Sequence, residues 1–95
     1  MALYLTRKPH EKIIIGDKYI LQLNKIIYNV HAEIEININN QIENYIVEQA
    51  DNIDLSDRIG INIYSIQPKY VKFGITAPTD ISIHREEIQL LTNKR

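Results

Sequence analysis

The sequence predicts a small, mainly β protein built from short antiparallel strands. Apolar residues alternate with polar ones along several short runs, and turn-forming residues separate these runs. Isoleucine dominates the apolar residues of a chain that also has six Tyr, no Trp and three Gly. β-Branched and aromatic residues favour strands, and a period of two indicates one buried and one exposed face. A length of 95 residues suits one domain, so residues 1–95 are expected to fold together.

Two short strands are predicted in the N-terminal part of the chain. In the run ALYLTR, Leu3 and Leu5 alternate with Ala2, Tyr4 and Thr6, which is typical of a strand. Pro9 in the following KPHE fixes its own φ and lacks a backbone donor, so this segment is predicted to turn. KIIIGD predicts a second strand that ends at a Gly-Asp turn. Its three consecutive Ile residues indicate burial on both faces, as at a subunit contact.

The C-terminal part predicts a hairpin, a further short strand and a helix. RIGINIYSI and YVKFGITA both alternate, and the QPK segment between them predicts the hairpin turn. After the turn-forming APTD, ISIH predicts a last strand. In REEIQLL, Ile88 and Leu91 are three positions apart and two acidic residues come early. Acidic residues in a first turn favour the positive end of a helix dipole, so residues 85–92 are predicted to form one short helix.

The charge is unevenly distributed, although the net charge of the chain is only −1. Residues 18–57 carry two basic and seven acidic residues, which gives this segment a charge of −5. The rest of the chain carries nine basic and five acidic residues, which gives it +4. The sequence therefore predicts a basic body that carries an acidic segment.

The acidic segment contains one clear strand and one ambiguous run. AEIEINI alternates cleanly and predicts a strand with Ile34, Ile36 and Ile38 facing inward. The next two residues, Asn39 and Asn40, are typical of a turn. QIENYIVEQ fits either a second strand that completes a hairpin or a helix capped by Asn40. The hairpin is the favoured interpretation.

Several functional classes lack support in the sequence. No apolar run approaches the roughly 18 residues of a membrane helix, and the N-terminus lacks the apolar stretch of a signal peptide. The absence of cysteine excludes disulfides and thiolate metal sites. The three His residues are far apart, no serine has a nucleophile-elbow context, and there is no Gly-rich phosphate loop. We expect a cytoplasmic protein with no catalytic residues, no metal and no cofactor.

Four segments in this order, LYLTRK, IIIGD, VKFGITAP and ISIHREEI, resemble the carbon storage regulator family of CsrA/RsmA-like RNA-binding translational regulators. With residues 18–57 removed, the remaining sequence is close in length to a whole family member. The resemblance implies a CsrA-like domain with an insertion at about residues 18–57. It also implies an interleaved, strand-swapped homodimer of short antiparallel strands with a C-terminal helix. A core this small would be marginal in a monomer, which agrees with a dimer.

The resemblance also implies a ligand and a binding site. Members bind messenger RNA leaders at GGA triplets in hairpin loops, and small regulatory RNAs with GGA triplets are further expected ligands. Unpaired loop bases can be read by hydrogen bonds and stacking. An arginine suits the site because its planar fork can stack on a base while it donates hydrogen bonds. The RNA-binding residues implied by the resemblance are Leu5, Thr6, Arg7, Lys8, Lys72, Thr76, Ala77, Pro78, Ile81, Ser82, Ile83, His84 and Arg85.

The chain departs from the family pattern in three places. Pro9 and His10 replace an apolar residue and a glycine, and Thr79 stands where a basic residue is common. The third departure is the acidic segment, which would repel RNA if it lay close to the binding site. An alternative function is therefore a protein–protein interaction module that acts through the acidic segment with weakened RNA binding.

Overall fold

The computed structural model describes residues 2–85 as a β protein made of two antiparallel sheets. The mainly β fold that the alternation predicted is therefore confirmed. The strands are β1 (Ala2–Arg7), β2 (Lys12–Ile15), β3 (Tyr19–Ile27), β4 (His31–Ile38), β5 (Gln41–Glu48), β6 (Asn52–Asp54), β7 (Gly60–Ile66), β8 (Val71–Thr76) and β9 (Ile83–Arg85).

The two sheets share one hydrophobic core. One sheet has the strand order β1-β8-β7-β6 and the other has the order β5-β4-β3-β2-β9. Alternate residues of the central strands face inward, among them Phe73 and Ile34, which are fully buried. The core cluster contains residues from both sheets, so neither sheet has a core of its own.

The acidic segment at residues 18–57 is part of both sheets. It supplies β3, β4 and β5 to the larger sheet and β6 to the smaller one. The predicted hairpin is confirmed, because QIENYIVE forms β5 and pairs antiparallel with β4. Asn39 and Asn40 both have positive φ, as a type I′ hairpin turn requires. The helical alternative for β5 is wrong, since its backbone pairs along the whole length of β4.

The chain contains a structural repeat that divides it into two units. We name β1–β4 (residues 2–38) the first unit and β5–β8 (residues 41–76) the second unit. In the first unit Lys12 pairs with Gln22, and in the second unit Asn52 pairs with Asn62. The difference in residue number between Lys12 and Asn52 equals that between Gln22 and Asn62. The registers of the paired strands in the two units therefore correspond.

The repeat also relates the strands that lie at the sheet edges. Leu5 of β1 pairs with Phe73 of β8, and Tyr45 of β5 pairs with Ile34 of β4. Tyr45 is the counterpart of Leu5 in the second unit, and Phe73 is the counterpart of Ile34. Each unit thus places its first strand against the last strand of the other unit.

The turn that follows each first strand also repeats. The Nα of His10 donates to the carbonyl of Leu23 at 2.6 Å, and the Nα of Ala50 donates to the carbonyl of Ile63 at 2.8 Å. His10 and Ala50 have φ values of 75° and 77°. This left-handed conformation favours glycine, so it accounts for the glycine that the family pattern has at position 10.

The repeat extends to an irregularity in the third strand of each unit. The register of β3 with β4 shifts between Leu23 and Lys25, and that of β7 with β8 shifts between Ile63 and Ser65. A β-bulge inserts one extra residue and bends the strand locally. Two bulges at corresponding positions show that the units have one backbone plan.

The last described strand has no counterpart in the first unit. β9 pairs with β2, whereas β4 leads directly through the Asn39–Asn40 turn into β5. Arg85 belongs to β9, so the helix predicted over residues 85–92 does not begin at this residue. The other residues of that predicted helix lie outside the described part of the chain. Within residues 2–85 there is also no helix with the length and apolarity needed to cross a membrane.

Candidate functional site

A cavity of about 230 Å³ opens between the end of β1 and the end of β9. It brings together two arginines, a lysine, a threonine, a carboxylate and an aromatic ring. Two strands and two turns contribute to its wall, so only the folded chain assembles it. The residues that line it are Thr6, Arg7, Lys8, Glu11, Tyr70 and Arg85. We call this cavity the arginine cleft.

Arg7 is the best-anchored side chain of the arginine cleft. It is only 6% exposed, although it is the last residue of an edge strand. Its Nε donates to the carbonyl of Thr6 at 2.8 Å, and a terminal guanidinium nitrogen donates to the carbonyl of Lys12 at 3.1 Å. Glu11 lies 3.7 Å from the Arg7 Nε. These contacts hold a buried positive charge in the wall of the cleft, with its orientation set by the turn.

Arg85 lines the same cleft from the side of β9, opposite β1. It pairs with Ile13 of β2 and is partly buried. Its Nε atom is buried and has no hydrogen-bond partner in the described part of the chain. Leaving a buried donor unpaired costs about 1–3 kcal/mol, and more when the group is charged. A ligand with oxygen acceptors would satisfy this donor.

Two residues of the arginine cleft were missed by the sequence-based prediction. Tyr70 is 40% exposed and directly precedes Val71, the residue of β8 that pairs with Arg7. Glu11 accepts a hydrogen bond from the Lys8 backbone at 2.7 Å and so closes the turn that carries Arg7. The tyrosine-rich composition was the available signal for Tyr70. It did not show which tyrosines would lie beside a cationic group.

The predicted loop residues lie at the other end of β1. Thr76 pairs with Ala2, the first residue of that strand, whereas Arg7 is its last. Five residue steps along a strand span about 17 Å. Ala77 is buried, and Pro78 lines a separate cavity with Ile81. The arginine cleft therefore excludes residues 76–78.

Leu5 and the predicted residues 81–84 make packing contacts or backbone pairing contacts. Leu5 is buried against Phe73, its pairing partner in β8. The partly buried Ile81 and Ile83 pack against the core. The Ser82 carbonyl accepts a hydrogen bond from the Gly16 backbone at 2.7 Å, and His84 pairs with Ile14. These contacts position β9, and through it Arg85.

Lys72 lies on the outer face of the smaller sheet, beside the cleft. It pairs with Thr6, and its Nζ is 5.7 Å from the ring centroid of Tyr4 and 5.1 Å from that of Tyr64. The two rings meet edge to face with their centroids 5.3 Å apart. Gly74 leaves room for Tyr4, because a Cβ there would lie 3.0 Å from a ring carbon. A cation and two exposed rings thus share one surface.

The corresponding edge of the second unit has the opposite character. The counterparts of Arg7 and Lys8 are Val47 and Glu48, and Glu48 faces His31 at 3.6 Å. The Tyr45 hydroxyl donates to Glu43 at 2.8 Å, and this hydrogen bond, with burial and the nearby charge, raises the pKa of Tyr45. The phenol therefore remains neutral, and the carboxylates dominate this edge.

Comparison with protein families matches residues 47–93, about half of the chain, to the CsrA global regulator protein family. No solved structure matches the chain. The matched range begins within β5 and includes β6–β9. It also includes residues 47–57, which the sequence analysis assigned to an insertion. Within residues 2–85, no three His, Asp or Glu side chains are arranged to hold a metal ion. The chain belongs to the CsrA family of global regulators.

Proposed function

We propose that this protein is a post-transcriptional regulator that binds RNA through the arginine cleft. The CsrA family consists of RNA-binding regulators and is not an enzyme family. The observation that carries the proposal is the meeting of Arg7, Lys8 and Arg85 around one cavity, with a buried Arg85 donor left unpaired. Phosphate oxygens and guanine edges are the acceptors that arginine prefers in nucleic acids.

The proposed ligand is an unpaired GGA-type triplet in a hairpin loop of a messenger RNA leader or a small regulatory RNA. Loop bases expose their edges for hydrogen bonds and their faces for stacking. Arg85 supplies donors to a guanine, Tyr70 supplies an exposed ring, and Lys8 supplies a charge for a phosphate. Arg7 has a positioning role, since its guanidinium is held by backbone carbonyls. The expected site of action is the cytoplasm.

The test is a binding titration with a GGA hairpin and an otherwise identical hairpin that lacks the triplet. Arg85→Ala should weaken binding of the GGA hairpin by about 5- to 150-fold, which corresponds to about 1–3 kcal/mol. Arg58→Ala is the matched control, because Arg58 is an exposed arginine 3.9 Å from Asp80 and lies outside the arginine cleft. Equal affinities for the Arg85→Ala variant and the unaltered protein would remove Arg85 from the RNA site.

A second candidate function is protein binding through the acidic segment. On β5, Ile42 and Ile46 are 55% and 59% exposed, and Ile46 pairs with Glu33. Exposed apolar residues rimmed by polar groups mark protein interfaces when they form a patch. Deleting residues 18–57 would remove strands from both sheets, so point substitutions are the better test.

The double variant Ile42→Ser/Ile46→Ser should lose a protein partner that the unaltered chain captures in the presence of ribonuclease. Capture that disappears with ribonuclease would count against this second candidate, because RNA would then be the link. The Tyr28→Ala variant is the control, since Tyr28 is an exposed aromatic residue in the β3–β4 turn.

A further inference from the structure

We propose that one chain holds both units of the interleaved arrangement, is monomeric and offers a single RNA cleft. The number of clefts rests on the proposed function, whereas the monomeric state does not. The observation is the reciprocal exchange of first strands within one chain. β1 of the first unit pairs with β8 of the second, and β5 of the second unit pairs with β4 of the first.

This exchange gives one chain the interleaved arrangement that the family resemblance assigns to two chains. Both sheets draw strands from both units, and they share one core. The repeat spacing, as from Leu5 to Tyr45, equals the length of the predicted insertion at residues 18–57. The family match over residues 47–93 begins within β5 of the second unit and includes β6–β9. A second copy of the strand pattern therefore explains the extra length better than an inserted element does.

The second unit lacks the parts from which the arginine cleft is built. The counterparts of Arg7 and Lys8 are Val47 and Glu48, which remove two positive charges and add a negative one. Within residues 2–85 no strand corresponding to β9 pairs with β6. In that range, no arginine therefore lies opposite the end of β5 in the way that Arg85 lies opposite the end of β1. One RNA per chain follows.

Native mass spectrometry of the full chain, with and without an excess of GGA hairpin, tests both parts of this proposal. The free protein should have a mass of 11.1 kDa over a wide concentration range. With RNA, one hairpin should bind one chain. A particle of twice the protein mass, or two hairpins on one chain, would overturn the proposal. A monomer that binds no hairpin would contradict the proposed function and leave the two-unit monomer standing.

A separate observation, the cluster of Tyr4, Tyr64 and Lys72, points to a base-stacking subsite outside the arginine cleft. We infer that a nucleotide flanking the bound triplet stacks here. Tyr4 and Tyr64 are 51% and 52% exposed, so their faces are accessible. Lys72 pairs with Thr6, which lines the arginine cleft, and this pairing makes the two surfaces continuous. Aromatic rings beside a cation are the recurrent platform for single-stranded bases.

The larger sheet provides the internal comparison for this subsite. The counterparts of Tyr4, Tyr64 and Lys72 are Asn44, Asn24 and Glu33. Asn24 donates from its amide to Glu33 at 3.2 Å, so the two polar groups satisfy each other. These three positions provide neither a ring for stacking nor a positive charge. The exposed faces of the two sheets are therefore specialised differently.

The test compares a minimal GGA hairpin with one that carries unpaired nucleotides on both sides of the hairpin. Tyr64→Ala should weaken binding of the extended RNA by about 5- to 150-fold and leave the minimal hairpin unaffected. Tyr64→Phe should retain binding, and Tyr28→Ala, in the β3–β4 turn of the other sheet, is the control. Equal losses for both RNAs, or no loss for either, would overturn the subsite. Arg85→Ala weakens both RNAs if the proposed function holds, so the two failures are distinguishable.

Discussion

The two units follow one backbone plan and have opposite outer faces. Apart from the buried Arg7, whose counterpart is Val47, inward positions stay apolar in both units, as in the pair Ile34 and Phe73, which both lie in the shared core. Outward positions do not pack in the core, so their residue types can differ between the units. Lys72, for example, is positively charged, whereas its counterpart Glu33 is negatively charged. Packing therefore preserves the repeat, while the solvent-facing residues are free to create one cationic surface and one acidic surface.

The shared core gives the strongest test of this comparison. Phe73→Ala should destabilise the protein by about 3–5 kcal/mol and Ile34→Ala by about 2–5 kcal/mol, since each leaves a cavity at an equivalent buried position. Both variants should unfold in one cooperative transition, measured by circular dichroism during urea denaturation. Two transitions in either variant would show that the sheets fold separately, and the comparison of units within one core would fail.

The repeated turns predict a smaller difference between the units. Glu11 and Asp51 accept hydrogen bonds from the Lys8 and Glu48 backbones at 2.7 and 2.9 Å. Asp51→Ala should cost about 0.5–2 kcal/mol, as the loss of a backbone cap does. Glu11→Ala should cost about 1–3 kcal/mol, because the buried Arg7 also loses its carboxylate.

The variant Glu11→Gln separates the two contributions of that carboxylate. Its amide oxygen can still accept the backbone hydrogen bond, so only the attraction to Arg7 is lost. The free energies of unfolding from urea titrations provide the measurement. If Asp51→Ala lowered the free energy of unfolding more than Glu11→Ala does, the Glu11 carboxylate would not measurably stabilise the buried Arg7.

The smallest effect is expected where the backbone is left-handed. His10→Gly and Ala50→Gly should each stabilise the protein by up to about 1 kcal/mol, because glycine adopts a positive φ without the steric cost of a Cβ. Part of this gain is offset by the greater freedom of glycine in the unfolded chain. Thermal denaturation measures the change. Ala32→Gly, in the buried part of β4, should instead destabilise the protein, and destabilisation by all three substitutions would contradict the predicted strain.

Much of the fold follows from local patterns. The alternation in ALYLTR, AEIEINI and RIGINIYSI predicted strands that the structure contains, and Asn39 and Asn40 predicted the hairpin turn. The resemblance, which rests on the order of four segments along the chain, also predicted Arg7 and Arg85 as site residues. The fold brings both to the arginine cleft. Their RNA-binding role stays a prediction.

The repeat was hidden because few positions carry the same residue in both units. Ile13, Asp17 and Ile26 recur as Ile53, Asp57 and Ile66, and most other pairs only preserve the apolar or polar character of the position. The spacing in sequence between counterparts in the two units is also not constant. The connection between paired residues of β7 and β8 is one residue shorter than the connection between their counterparts in β3 and β4. The extra length therefore resembled an insertion, since hydrogen-bond register is not visible in a list of residue types.

Local chemistry accounts for the strands, the turns and the uneven charge, because these depend on the alternation of side chains and on short-range backbone preferences. The choice of pairing partner depends on distant segments that share a core. For that reason only the folded chain shows that β1 pairs with β8 of the other unit and that Arg85 lies near the end of β1. Within residues 2–85, the same long-range pairing leaves the edge at Val47 and Glu48 without a matching arginine.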